Sequence, residues 1–398
     1  MFGESAGGGS VTFHLLSPIS RHLITRGIIQ SGTLNAPWSV MEAQEAEDMA
    51  KELFIFTGCN NTESDYESVK CLRELPAKTI SEEQWNSYKS ILAFPSRPTI
   101  DGVFLPQHPM DMLKAGDFKR TQLLIGSNKN EGTYFLLYDF LSTFNKDNPV
   151  CLSRDKFLEI ITQIFPDRSR LEKEAILFQY TNWEDLTDTC KNTELVGDLV
   201  GDYFFICPSN AFAQAYAAHG NPVYYYYFTH RSSTNPWGKW MGVMHGDEVE
   251  YVFGHPLNST GIHSLAEQNL SRKIMSYFTR FARTGRPDQH AVDNWPLYTK
   301  NEPHYFILNA DPPARGKGPR SHHCAFWNEF MPLINSGTTP LRSKCDKEIW
   351  GPPSSAALSH PAKSFHIVTL MFSFVVVNIF YWNIPSYSKF FHTPHHIG

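Results

Sequence analysis

The chain has 398 residues, 41% of them hydrophobic and 14% aromatic, which is enough apolar material for one large core. Its formal net charge of −5 argues against a nucleic-acid partner, which usually requires a basic face or stripe. The mild acidic excess suits a cationic ligand without specifying one.

The first feature along the chain is Gly3-Glu4-Ser5-Ala6-Gly7, a G-x-S-x-G pentapeptide. In an α/β-hydrolase this pattern places a serine on a sharp strand-to-helix turn, and the small flanking residues let the strained turn form. Only Met1 and Phe2 remain of the strand, so none is expected to precede the serine. Residues 8–16 are expected as the following helix and residues 26–32 as the return strand. Strand-like runs at 123–126 and 223–228 then alternate with helical patterns at 155–165, 172–180, 210–219 and 267–283. The last of these stops at Thr284-Gly285 with Pro287 beyond it. This alternation predicts an α/β fold with a mostly parallel sheet flanked by helices. No linker, repeat or composition shift divides residues 17–352, so one domain is expected.

A serine hydroxyl needs a histidine to take its proton and an acid to orient that histidine. The chain order in α/β-hydrolases is Ser, acid, His. Among 17 histidines, His245 stands out in a glycine-flanked loop after the 223–228 strand, because active sites of open α/β sheets gather beyond strand C-termini. The same logic favours Glu131, in the turn after the 123–126 strand, as the acid. Asp101 is its rival, although Asp-Gly there is equally an ordinary turn. Glu4 and Glu248 neighbour these residues, and adjacency alone assigns them only structural hydrogen bonding.

Other features point toward secretion. Seven cysteines include no C-x-x-C pair, so six can form disulfides and one is left over. N-glycosylation sequons stand at Asn60, Asn258 and Asn269. Small residues at 354–357, a short polar spacer and an apolar run over 365–384 match a GPI-anchor signal. The run is also long enough to span a bilayer, and a polar tail over 385–398 follows it. The anchor is the preferred reading, with residues 347–364 as linker and attachment region.

The segments FGESAGG, SNKNEGTYFLLYDF and WGKWMGVMHGDEVEYVFG resemble the cholinesterase and type-B carboxylesterase family, and the chain through Cys345 is similar to its insect-type members. The resemblance implies an α/β-hydrolase fold over residues 1–346 and hydrolysis of acetylcholine without metal or organic cofactor. It implies a triad of Ser5, Glu131 and His245, with the Ala6 backbone N–H as one oxyanion donor. It places Trp237, Tyr134, Phe135 and Tyr138 in an aromatic gorge, with Tyr134 helping to hold choline. Trp38, Leu92 and Phe94 fall in the acyl pocket, where leucine in place of a bulkier phenylalanine should relax acyl selectivity. Glu4 is placed to help orient water and the cationic substrate, and Glu248 adjoins the same site.

The resemblance further implies disulfides Cys59–Cys71 and Cys207–Cys324 and an interchain role for Cys345 in a homodimer. Cys151 and Cys190 are additional to the usual pattern and could be bridged or free. A synaptic enzyme anchored at the cell surface is implied, sensitive to organophosphates and carbamates. Two oxyanion donors and the principal choline-binding tryptophan of the family lie upstream of its G-x-S-x-G motif. The chain is therefore expected to be the later part of a longer enzyme, lacking N-terminal strands and inactive alone. A general carboxylesterase and a non-catalytic adhesion protein are the alternatives.

Overall fold

Strands buried on both faces are the local signature of a parallel sheet, and Leu123–Asn128 is buried at every position. The computed structural model describes residues 1–61, 64–258, 261–288 and 294–335. Its six-stranded sheet runs in chain order: β1 (Phe2–Glu4), β2 (Gly27–Gln30), β3 (Leu123–Asn128), β4 (Val223–Phe228), β5 (His304–Leu308) and β6 (Ala314–Lys317). All neighbours pair in parallel except β5 and β6, which are antiparallel.

The strand expected to be missing before the serine is present, because Phe2, Gly3 and Glu4 pair with Ile28, Ile29 and Gln30. Three residues suffice for it, since the Ile28 N–H reaches the Met1 carbonyl at 3.0 Å.

Seven helices matter for the site: α1 (Ala6–Leu16), α2 (Thr133–Asp139), α3 (Arg154–Ile164), α4 (Arg170–Gln179), α5 (Thr189–Gly201), α6 (Cys207–Ala218) and α7 (Leu265–Thr284). Capping boxes at Ser169 and Ser264 start α4 and α7 upstream of where apolar periodicity begins. Helix α5 escaped the sequence reading because its glycines weaken the helical signal. Gly197 is nonetheless required, since a Cβ there would lie 2.9 Å from Thr133 on α2.

Side-chain alternation along the strands divides the core. Ile29, Leu123, Ile125, Val223 and Tyr225 face α1 and α6, packing with Leu15, Phe212 and Tyr216. Ile28, Leu124, Tyr224, Tyr226 and Phe228 face α7, packing with Ile274, Phe278 and Phe281. Each large side chain so buried contributes about 1.5–3 kcal/mol. A third apolar cluster lies beyond the strand ends and joins α2 through α5 to Trp38, Leu92 and Phe205.

The late chain is fastened back onto this cluster. Arg320 holds the fully buried Asp202 carboxylate through Nε (2.8 Å) and Nη2 (2.6 Å), and meets Asp198 at 3.0 Å. Tyr180 also donates to Asp202 at 2.8 Å. Disulfides join Cys59 to Cys71, Cys151 to Cys190, and Cys207 to Cys324. The bridge between Cys151 and Cys190, left open by the sequence, is thus formed. Cys345 and the 347–364, 365–384 and 385–398 segments lie outside the described residues. Among the described residues no helix is long and apolar enough to cross a membrane.

Removing one partner of a buried ion pair strands the other charge. Arg320→Ala is therefore expected to cost about 3–5 kcal/mol in urea unfolding of the chain, with Arg320→Lys losing less. An unchanged midpoint for Arg320→Ala would show that the pair does not hold the late chain.

Candidate active site

Three polypeptide turns converge at the C-terminal ends of β1, β3 and β4. Ser5 stands between β1 and α1 with φ 57° and ψ −120°, a conformation costly for a residue with a Cβ. Its N–H donates to the Gln30 carbonyl at 2.8 Å, and its own carbonyl accepts from Gly9 N–H at 3.0 Å. The Ser5 side chain makes no capping bond to α1. Close packing explains Gly3, since a Cβ there would sit 2.3 Å from the Gly7 carbonyl oxygen. Ala6 begins α1 and is exposed.

Glu131 follows β3 and is completely buried. Its Oε1 accepts from the Ser31 hydroxyl and from the Asn128 N–H, both at 2.6 Å. Its Oε2 lies 2.6 Å from His245 Nδ1. The loop carrying His245 is knitted to the Glu131 turn by Asn130 N–H to the Val243 carbonyl (2.8 Å) and Val243 N–H to Asn130 Oδ1 (3.0 Å). Thr133 Oγ1 donates to the Met241 carbonyl at 2.7 Å. Asp101, the alternative acid, accepts from the N–H groups of Val103 and Leu105 and is an ordinary turn residue.

The other imidazole nitrogen is differently placed. His245 Nε2 lies 3.2 Å from Glu4 Oε1, yet neither atom has a hydrogen-bond partner among the described residues. Hydrogen bonds of resting sites commonly tighten only when substrate arrives. Burial alone would depress the His245 pKa, but the Glu4 charge and the Glu131 hydrogen bond outweigh it and hold it at about 9. Burial pushes the Glu4 carboxyl up, against the pull of His245 and with help from Glu248 and Glu131. Glu248 is also raised by burial and then by Glu131. Its carboxylate bonds to Gln30 Nε2 (3.0 Å) and Asn128 Nδ2 (2.6 Å) and not to His245.

Aromatic side chains wall the imidazole. Phe135 and Phe205 stack at 5.0 Å, and their ring centroids lie 5.1 and 4.4 Å from that of His245. Tyr134 is edge-on to Trp237 at 5.9 Å and 4.7 Å from the exposed Tyr138. Trp38 is buried, 5.9 Å from Phe205, and donates through Nε1 to the Phe204 carbonyl at 2.9 Å. Leu92 is buried with φ 59°, and its N–H donates to Tyr88 Oη at 2.9 Å. Phe94 is half-buried against Tyr88 and Trp85. Asn60, Asn258 and Asn269 are all exposed.

Sequence reasoning missed Ser31, Asn128 and Phe205. Ser31 and Asn128 act through strand-end geometry that no motif encodes. Phe205 belongs to a π-helical turn, Asp202–Ile206, whose altered winding hides which residue faces inward.

A mostly parallel sheet, a strained serine elbow after β1, and an acid and a histidine after β3 and β4 are the organisation of an α/β-hydrolase. The carboxylesterase family matches residues 1–327, and the chain belongs to that family. Acetylcholinesterase of Leptinotarsa decemlineata is 56% identical over 348 residues, covering 87% of this chain and 55% of the relative. Acetylcholinesterase of Bungarus fasciatus is 44% identical over 374 residues, 92% of this chain and 61% of the relative. The chain thus spans little more than half the length of these curated relatives.

With its pKa raised against burial to about 9 by the Glu4 charge and then by the Glu131 hydrogen bond, protonated His245 contributes stability fully present below the unfolded pKa and lost as pH rises through about 9. Glu4→Gln removes one of the charges that hold it there. The variant should lower the His245 pKa by about one unit or more, read by ring NMR titration of the chain. A His245 titration unmoved by Glu4→Gln would show that the two side chains do not communicate.

Proposed function

We propose that the protein is a serine hydrolase that cleaves acetylcholine to choline and acetate through an acyl-serine intermediate. The observation that carries this reading is the 2.6 Å bond from buried Glu131 to His245, whose Nε2 lies 3.2 Å from Glu4, the chain neighbour of the strained Ser5. In the proposed reaction Ser5 Oγ attacks the acetyl carbonyl while neutral His245, formed once the Glu4 charge that holds the imidazole protonated is neutralised or offset by the bound cation, takes its proton at Nε2 and then delivers it to the leaving choline oxygen. Water activated by the same nitrogen releases acetate. Glu131 fixes the imidazole tautomer and stabilises its protonated form. The Ala6 N–H, at the start of α1, serves as an oxyanion donor. Every step is acid–base and acyl-transfer chemistry of side chains in the chain.

Support for a cationic substrate comes from the wall of Trp237, Tyr134 and Phe135, since aromatic faces attract quaternary ammonium groups. Glu4, beside His245 and pushed toward its neutral form by burial, is favoured as the carboxylate when a cation lies nearby. Trp38, Leu92 and Phe94 are assigned to the acyl group, with Leu92 leaving room for acids longer than acetate. Both curated relatives are named acetylcholinesterases. We extend the proposal to a secreted glycoprotein held at the cell surface, dimeric through Cys345, and inhibited by organophosphates and carbamates at Ser5. Glycans are assigned to Asn60, Asn258 and Asn269, and the anchor to the 347–364 region.

The test is hydrolysis by protein made from the full-length transcript. Acetylthiocholine should be preferred over naphthyl acetate in kcat/KM, with measurable turnover of butyrylthiocholine. Ser5→Ala should abolish turnover, and Glu131→Gln should lower kcat by about 10³- to 10⁴-fold. Equal use of the neutral ester would instead indicate a general carboxylesterase, and no turnover of any ester would overturn the proposal.

A further inference from the structure

The Cys151–Cys190 disulfide differs from the other two in exposure. Both of its cysteines are exposed, whereas Cys59, Cys207 and Cys324 are buried. It joins residues 39 apart in sequence and lies away from Ser5, so nothing in the proposed reaction uses it. Its two ends, however, sit on the two supports of the aromatic wall.

Cys190 is in the first turn of α5, which Asp188 caps by accepting from Lys191 N–H at 2.9 Å. Helix α5 packs against α2, the carrier of Tyr134 and Phe135, so closely that a Cβ on Gly132 would lie 2.2 Å from the Gly197 carbonyl oxygen. Cys151 ends a short segment that starts beside the Trp237 loop. There the Lys146 carbonyl accepts from Gly238 N–H at 2.7 Å, and the Asn145 carbonyl accepts from Trp240 Nε1 at 3.1 Å. Phe144 stacks on Trp240 at 5.9 Å. A Cβ on Gly238 would come within 2.2 Å of the Lys146 carbonyl oxygen, so the two backbones are in direct contact. Between Lys146 and Cys151 the path is short and turned, with Asn145 Oδ1 accepting from Asp147 N–H at 2.9 Å. Near the bridge, Leu152 N–H donates to Thr193 Oγ1 (3.3 Å), and Asn192 Nδ2 donates to the Leu152 carbonyl (3.0 Å).

From this connectivity we propose that the Cys151–Cys190 disulfide is a specificity-setting tether that holds Trp237 against Tyr134. It ties the 140–153 segment, on which the Trp237 loop rests, to the helix that supports Tyr134. Cys151 and Cys190 are positioning residues, acting on a cationic substrate through Trp237. The proposal rests on the esterase reading only for the identity of the ligand. Its exposure also makes the bridge accessible to a dithiol. One thiolate of the dithiol attacks a bridge sulfur and releases the other cysteine as thiolate. The second thiol then resolves the mixed disulfide, leaving two cysteine thiols and the dithiol oxidised to its cyclic disulfide. The bond exchange moves two electrons and leaves the backbone intact.

Protein made from the full-length transcript provides the test, compared as wild type, as Cys151→Ser/Cys190→Ser, and as wild type briefly reduced with dithiothreitol and alkylated at these two cysteines. Cys59→Ser/Cys71→Ser controls for general loss of a disulfide. Amide exchange over residues 235–241 should quicken by about tenfold or more in the first variant and in the reduced protein, while β3 and β4 stay protected. The control should leave 235–241 unchanged. KM for acetylthiocholine should rise about 3- to 10-fold, the size of a weakened cation–π contact, with kcat and naphthyl acetate kinetics little changed. Unchanged exchange over 235–241, or equal changes for both esters, would overturn the tether. Should the wild type hydrolyse neither ester, the esterase reading fails, and exchange over 235–241 still decides the tether.

Discussion

The carboxylate of Glu131 is the point on which the site depends. It is buried without a cation of fixed charge beside it, and each of its contacts comes from a different strand end. Ser31 follows β2, Asn128 ends β3, and His245 follows β4. A buried carboxylate without partners costs several kcal/mol, so these donors fix three loops in register as they stabilise one charge. The sheet makes this possible. Parallel strands in chain order bring successive C-terminal turns to the same edge, where a serine elbow, an acid and a base can meet.

Around that hub the electrostatics are arranged in opposition. Glu4, Glu131 and Glu248 crowd one imidazole, and burial pushes Glu4 and Glu248 toward their neutral forms. The same crowding favours positive charge on His245. Glu131 serves the imidazole directly, while Glu248 is held away from it by Gln30 and Asn128. Glu4 is intermediate: a quarter of its side chain is exposed, yet the oxygen facing Nε2 is sealed from solvent. Such a site suits a reaction in which a proton moves onto the imidazole and a cation lies nearby. Outside it, the aromatic wall is carried by α2 and the Trp237 loop, and both lean on elements stapled by Cys151–Cys190.

Much of this was legible in the sequence for specific reasons. The G-x-S-x-G elbow is a covalently local motif, and its first glycine is dictated by a backbone contact four residues away. Chain order and placement after apolar strand runs favour Glu131 and His245 without singling them out, and it is the resemblance carried by SNKNEGTYFLLYDF and WGKWMGVMHGDEVEYVFG that selects them over Asp101 and the other histidines. The apolar runs 123–126 and 223–228 made both strands legible, the second with its ends, while the first continues through polar Ser127 and Asn128, which no apolar pattern marks. What stayed hidden depends on tertiary context. Three residues at the chain start form β1 only because β2 lies beside them. Ser31 and Asn128 are ordinary polar residues until the sheet brings their donors to one carboxylate. Phe205 is masked by the π-helical turn, and helix α5 by glycines that exist for packing against α2. The pairing of Cys151 with Cys190, 39 residues apart, likewise required the folded helices.

The central claim is that Glu131, acting through His245, makes Ser5 nucleophilic. The direct measurement is the rate and site of labelling by a fluorophosphonate, followed by intact mass and peptide mapping, in protein from the full-length transcript and in its Glu131→Gln variant. A single adduct on Ser5 is expected, with labelling slowed by about 10³-fold or more in the variant. An adduct on another residue, or equal rates in the two proteins, would contradict that claim.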